Sequence, residues 1–108
     1  MNPNFRLILA RSVSIMIAGV ISASSLAQNA KPRIAESDVV QLANNEIGHA
    51  GYNLNRDFGN RVVAYHPENH EWRVVYWGNS SQGVPNVGVY IDDVTAKARI
   101  VKKPPTYP

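Results

Sequence analysis

The chain has 108 residues, of which 44% are hydrophobic and 18% charged, and its formal net charge is +3. This composition is typical of a globular protein, and the length allows one domain. The chain has no cysteine, and this excludes disulfides, thiolate metal sites, a cysteine nucleophile and a lipid-modified cysteine.

Residues 1–27 have the pattern of a secretory signal peptide. Arg6 and Arg11 form a positive start, residues 12–21 form a short apolar run, and small residues lead up to Ala27. We therefore predict cleavage after Ala27. The alternative, an uncleaved membrane anchor, needs about 20 mainly apolar residues, and Arg11 and later serines interrupt the run.

Export determines which partners and compartments we expect. Cleavage would remove Arg6 and Arg11 but no acidic residue, so the mature chain would be close to neutral. A nucleic-acid-binding protein needs a basic patch, which the mature sequence lacks, so we expect no nucleic acid partner. A small exported domain without cysteine is typical of the bacterial periplasm. We expect a periplasmic or secreted protein that keeps no stable membrane anchor after cleavage.

The first element of the mature chain is a helix. A polar lead-in over 28–36 precedes it, and apolar residues then recur at three- and four-residue steps: Val39, Val40, Ala43, Ile47 and Ala50. This spacing predicts a helix over Ser37–His49 with one apolar face. Gly51 is placed to end it in the left-handed conformation.

Four strands are predicted after the helix, separated by turn residues. They cover Arg61–His66, Glu71–Trp77, Val87–Asp92 and Lys97–Lys102, and a loose tail follows over 103–108. The order predicts an α+β domain over 37–102, with one N-terminal helix packed on a four-stranded antiparallel meander.

The second strand is apolar on both faces, so the sequence leaves open which face the helix covers. If Trp72, Val74 and Tyr76 pack on the helix, Trp77 points the other way, and Val63, Tyr65, Val75 and Tyr90 join it there if the register allows. An aromatic face flanked by arginines, including Arg61, is typical of a protein-binding surface. The candidate partner-binding residues are Arg73, Trp77, Tyr65, Tyr90 and Arg99, and the loop 78–86 is a second candidate surface.

Chemistry-bearing residues are few. His66 and His70, with the carboxylates of Glu68 and Glu71, could bind zinc or copper, but a solvated polar turn is the simpler explanation, since structural zinc usually has four ordered ligands. Asp93 is expected to shape its turn by bonding to its own backbone. We find no catalytic grouping and no phosphate-binding loop, and we expect neither enzymatic activity nor a cofactor.

Three segments stand out together, at 37–43, at 71–74 (Glu-Trp-Arg-Val) and at 88–95 (Gly-Val-Tyr-Ile-Asp-Asp-Val-Thr). Together they resemble a PepSY-type domain, whose outline is similar to that of cystatins, and the resemblance covers 37–102. The sequence departs from the family pattern at Ala96, where a turn glycine is usual, which demands a different turn type or a strained residue.

The resemblance implies a non-catalytic module that holds or inhibits a peptidase, acting in the periplasm. A second resemblance, to small periplasmic immunity proteins, implies a tight toxin partner instead. A third possibility, drawn from the residues themselves, is a metal-binding protein that uses His66 and His70.

Overall fold

The computed structural model describes residues 31–108. Two α-helices and four strands follow in chain order: α1 (Glu36–His49), α2 (Leu54–Asp57), β1 (Phe58–His66), β2 (Glu71–Gly78), β3 (Val87–Asp92) and β4 (Ala98–Lys102). Short 3-10 helices lie in the two loops, at Pro67–Asn69 and Ser80–Gln82. No helix within this range is long and apolar enough to cross a membrane. The predicted signal peptide over 1–27, and residues 28–30 of the lead-in, lie outside the described residues.

The main helix forms where its apolar spacing predicts. α1 begins one residue earlier than expected, at Glu36, and buries Val39, Ala43 and Ile47 completely. Ala50 is an exception, because it lies beyond the last helical turn and is exposed. The helix ends as predicted, since Gly51 adopts a left-handed φ of +93° that glycine accepts without a steric penalty.

The four strands pair in sequence order as an antiparallel meander, which confirms the predicted α+β architecture. The β3 boundaries match the prediction, and those of β2 and β4 differ from it by one residue. β1 begins at Phe58 rather than at Arg61, because an irregularity between Phe58 and Asn60 lets pairing continue toward Gly78. The short helix α2 was not predicted.

The register settles which sheet face α1 covers. Trp72, Val74 and Tyr76 belong to the buried core together with the α1 residues, as do Val87, Val89 and Ile91 of β3. We call this side of the sheet the inner face. Since side chains alternate along a strand, Arg73, Val75 and Trp77 lie on the opposite, outer face.

The C-terminal segment is docked, so the prediction of a loose tail over 103–108 is wrong. Lys103 has a left-handed φ of +54°, and the following Pro104 is buried. Trp77 Nε1 donates a hydrogen bond to the Thr106 carbonyl oxygen at 3.0 Å. No local sequence pattern predicts this contact, because it depends on which outer-face groups the sheet leaves uncovered.

Candidate functional site

Three of the candidate residues form one row across the outer face. Arg73 in β2 lies directly opposite Tyr90 in β3, which lies opposite Arg99 in β4. The guanidinium carbons of Arg73 and Arg99 lie 4.9 Å and 5.0 Å from the centre of the Tyr90 ring. These distances are typical of cation–π contacts, so the ring holds a cation from each side.

Glu71 completes this group. Its carboxylate accepts from Arg73 Nε at 2.9 Å and from Arg99 Nη2 at 3.3 Å. We call Glu71, Arg73, Tyr90 and Arg99 the arginine–tyrosine cluster. Within residues 31–108, the side-chain hydrogen bonds of the two arginines go to Glu71 alone, and each uses one of the five N–H donors that a guanidinium carries.

The cluster combines order with access. The Arg99 side chain is 62% exposed and the Arg73 side chain 25%, while Tyr90 beneath them is buried. A depression of about 330 Å³ lies beside it, and its lining includes Glu71, Tyr90, Asp92, Lys97 and Arg99. Free guanidinium donors at the edge of such a depression are suited to a planar carboxylate or to backbone carbonyl oxygens.

Trp77 shares the outer face with the cluster, but the tail covers it. The Tyr107 ring meets the Trp77 ring edge-on, with centroids 5.6 Å apart and planes at 90°. A Cβ built on Gly88 would lie 3.2 Å from Pro104 Cβ, so the missing side chain at Gly88 leaves room for the proline. Trp77 is therefore a second part of the same face, occupied by the chain itself.

Tyr65 and Val63 were expected on the outer face if the register allowed, and this expectation is wrong. Tyr65 pairs with Trp72 and Val63 with Val74, so both lie on the inner face. The Tyr65 and Trp72 rings are 5.1 Å apart. The register across the hairpin decides this, and apolar residues on both faces of β2 made it unreadable from the sequence.

Arg61 is also absent from the outer face. It lies opposite Tyr76, beside a depression of about 210 Å³ formed near Phe58 and Leu54. The Tyr76 hydroxyl donates to Asn44 Oδ1 at 2.6 Å, and burial raises the pKa of Tyr76 to about 12. This tyrosine is therefore neutral at physiological pH and serves the core.

Asp93 is the residue whose role the sequence missed. The turn is shaped by Asp92, which accepts from the Val94 and Thr95 N–H groups at 2.8 Å and 2.9 Å. The Asp93 carboxylate is buried and accepts four hydrogen bonds from distant groups: Arg33 N–H, Ile34 N–H, Trp72 Nε1–H and Tyr65 O–H. Burial alone would raise the pKa of Asp93, but these hydrogen bonds outweigh it and hold the pKa below its ordinary value.

The loop 78–86 is an ordered structure tied to its surroundings. Asn79 N–H donates to the Asp57 carbonyl oxygen at 2.8 Å, and Gly78 N–H donates to Asn86 Oδ1 at 2.9 Å. Val84 packs against the core. These contacts give the loop a fixed shape, and whether it binds a partner stays a prediction.

The candidate metal ligands His66 and His70 do not form a cluster with a third ligand in the described part of the chain. His66 Nδ1 lies 3.1 Å from Glu68 Oε2, while His70 adopts a left-handed φ of +50° at the end of the Pro67–Asn69 turn. In the described part of the chain, no group of three His, Cys, Asp or Glu residues could hold a metal ion. Metal binding at His66 and His70 remains a prediction that zinc calorimetry would test.

Comparison with known proteins adds no relative. Among models of protein families, curated proteins and solved structures, none matches this chain.

Proposed function

We propose that this protein is an exported, non-catalytic binding module that docks another protein on the outer face of its sheet. The observation that carries the proposal is the arginine–tyrosine cluster. Two guanidiniums are stacked on one buried tyrosine ring, with most of their donors unused within the described chain.

The order of these side chains supports binding, because it lowers the entropy lost when a partner docks. Long arginine side chains normally lose rotamer freedom in an interface. Here Tyr90 and Glu71 already fix both arginines in the free protein. Arginine and tyrosine are also the residue types that dominate the energetics of protein interfaces.

The chemistry favours a partner that presents carboxylates. Arg99 and Lys97 line the depression together with Glu71 and Asp92, and Arg73 lies on the other side of Tyr90. The Asp92 carboxylate is engaged by its own turn. A partner carboxylate could accept the guanidinium donors that Glu71 leaves unused. The PepSY-like role, holding or inhibiting a peptidase, and the immunity-protein role are two forms of this proposal.

Localisation is part of the proposal. If the first 27 residues are a cleaved signal, the product recovered from a bacterial periplasmic fraction begins at Gln28. N-terminal sequencing of the full chain after expression measures this directly. A product that retains Met1 and stays with the membranes or the cytoplasm would contradict it.

The binding role is tested by capture from periplasmic extract with the parent chain and two matched variants. Arg99→Ala removes an exposed cation from the cluster. Arg56→Ala removes an arginine that is also 62% exposed and ion-paired, but in α2 next to β1, at the opposite edge of the sheet. We expect a saturable partner that is retained by Arg56→Ala, weakened at least tenfold by Arg99→Ala, and weakened further by salt. Equal effects of the two variants would contradict the assignment of the face.

A further inference from the structure

The tail and Trp77 make contacts of a kind that proteins use to bind proline-rich segments. Residues 104–108 read Pro-Pro-Thr-Tyr-Pro, and prolines confine a segment to extended conformations. A polyproline helix has no internal hydrogen bonds, so its carbonyl groups are free to accept from outside. Trp77 supplies such a donor, because its indole N–H bonds to the Thr106 carbonyl oxygen.

The contacts follow one another along the segment. Pro104 lies beside Gly88, the Thr106 carbonyl accepts from Trp77, and the Tyr107 ring packs edge-on against the indole. Extended proline-rich peptides are recognised in general by docking on aromatic-lined surfaces, and an indole that also donates to a backbone carbonyl fits this mode. We call the surface formed by Trp77 and Gly88, on which the tail lies, the tail groove.

The tail is only partly buried. Pro104 is buried, but Tyr107 is 69% exposed, and the hydrogen bond from Trp77 lies at the surface. The hinge adds strain, because Lys103 has a positive φ of 54°, which costs free energy in a residue with a Cβ. Removal of the tail would uncover the Trp77 ring next to the arginine–tyrosine cluster.

We propose that the tail groove is a binding site for an extended proline-rich segment of the partner protein, and that residues 103–108 occupy it in cis until the partner displaces them. This inference rests on the proposed function, because both place the partner on the outer face. It adds the chemical class of the segment that the partner presents. It also adds a competition between that segment and the tail, which sets the apparent affinity for the partner. The tethered tail lowers the affinity for a partner segment by the fraction of molecules in which the groove is open.

The test uses a fluorescent peptide with the sequence of residues 102–108 as the probe and measures its anisotropy on titration with protein. The protein is the full chain, its Tyr107→Ala variant, or a chain ending at Pro105, which keeps the buried Pro104. Circular dichroism and the unfolding midpoint check that each is folded. We expect the two tail variants to bind the peptide roughly three- to tenfold more tightly than the parent.

A matched change in the groove identifies the contact. Trp77→Phe, made in the Tyr107→Ala background, keeps an aromatic ring but removes the indole donor, and we expect it to weaken peptide binding at least fivefold. Peptide binding that does not saturate in either tail variant, or that is equally tight in the parent, would overturn the proposal. So would peptide binding that Trp77→Phe leaves unchanged.

Two further outcomes separate this inference from its alternatives. A dimer of the parent chain in sedimentation, lost when Tyr107 is replaced, would mean that the tail of a second copy is the occupant, and would overturn displacement by another protein. If partner capture depends on Arg99 while the peptide fails to bind, the proposed function stands and the tail only stabilises the fold.

Discussion

Replacement of Asp93 by asparagine tests how the inner face is held together. The carboxylate uses Oδ2 for Arg33 N–H and Tyr65 O–H, and Oδ1 for Ile34 N–H and Trp72 Nε1–H. Asparagine has one acceptor oxygen and one NH2 group, so one of these pairs of donors must lose its acceptor. The less damaging orientation gives up the Arg33 and Tyr65 bonds, at 2.7 Å and 3.4 Å.

The expected loss follows from those two bonds. A hydrogen bond to a charged acceptor contributes about 1.5–3 kcal/mol, and the long Tyr65 bond contributes little. Arg33 is an exposed residue, so partial hydration of its N–H offsets part of the loss. The remaining two bonds lose the benefit of the negative charge. We therefore expect Asp93→Asn to lower the free energy of unfolding by about 2 kcal/mol. For a domain of this size that corresponds to a fall of roughly 8–16 °C in the unfolding midpoint.

Urea denaturation followed by tryptophan fluorescence and by circular dichroism measures this quantity. Asp92→Asn is the matched control, because its amide oxygen can still accept from Val94 and Thr95 N–H. The control should change the free energy of unfolding by less than about 0.5 kcal/mol. If Asp93→Asn behaves like Asp92→Asn, the four-donor account of Asp93 is wrong.

Three other changes test separate parts of the fold. Ala96→Gly should raise the free energy of unfolding by about 0.5–1 kcal/mol in urea titration, because Ala96 has a φ of +64° that glycine adopts without strain; an unchanged or lower value would contradict this. Gly78→Ala should lower the free energy of unfolding by about 3 kcal/mol or more, because a Cβ there would overlap the Val84 and Pro85 carbonyl oxygens. Gly48→Ala, the control in α1, should not lower it, because open space surrounds Gly48. Equal effects of the two substitutions would refute the contact. The pKa of Asp93 is lower in the native state than in the unfolded chain. Its carboxylate therefore stabilises the fold fully above about pH 4, and this stabilisation is lost as the pH falls through the native pKa. The unfolding midpoint should consequently drop with acid more steeply in the parent than in Asp93→Asn.

The helix and the order of the strands could be predicted from the sequence because they depend on local patterns. The apolar spacing from Val39 to Ile47 admits one helix, and turn residues separate four β-rich runs. The departure at Ala96 was also readable, because a residue that replaces a usual turn glycine must either adopt a left-handed φ itself or change the turn type. The structure places Ala96 in that conformation.

The candidate site was predicted only in part, because its residues share a face only if the strands pair in one particular register. Arg73, Tyr90 and Arg99 alternate onto one face within their own strands, so their row follows once the strands pair without a shift. Tyr65 depended on the pairing of β1, which local pattern does not give.

Two long-range contacts were beyond sequence reasoning altogether. The reach of Asp93 to Arg33 spans 60 positions of the chain. The docking of Thr106 on Trp77 spans 29 positions. Neither contact has a local sequence pattern. A carboxylate or an indole N–H can form hydrogen bonds with many groups, and only the folded chain determines which of them lies within reach.

The central claim is that the arginine–tyrosine cluster is the surface that a partner protein binds. The most direct test is the affinity of the captured periplasmic partner for the parent, for Arg99→Ala and for Arg56→Ala, measured by calorimetry at two salt concentrations. The account predicts at least a tenfold loss for Arg99→Ala alone, with weaker binding of the parent at higher salt. Unchanged affinity in Arg99→Ala, with folding intact, would contradict it.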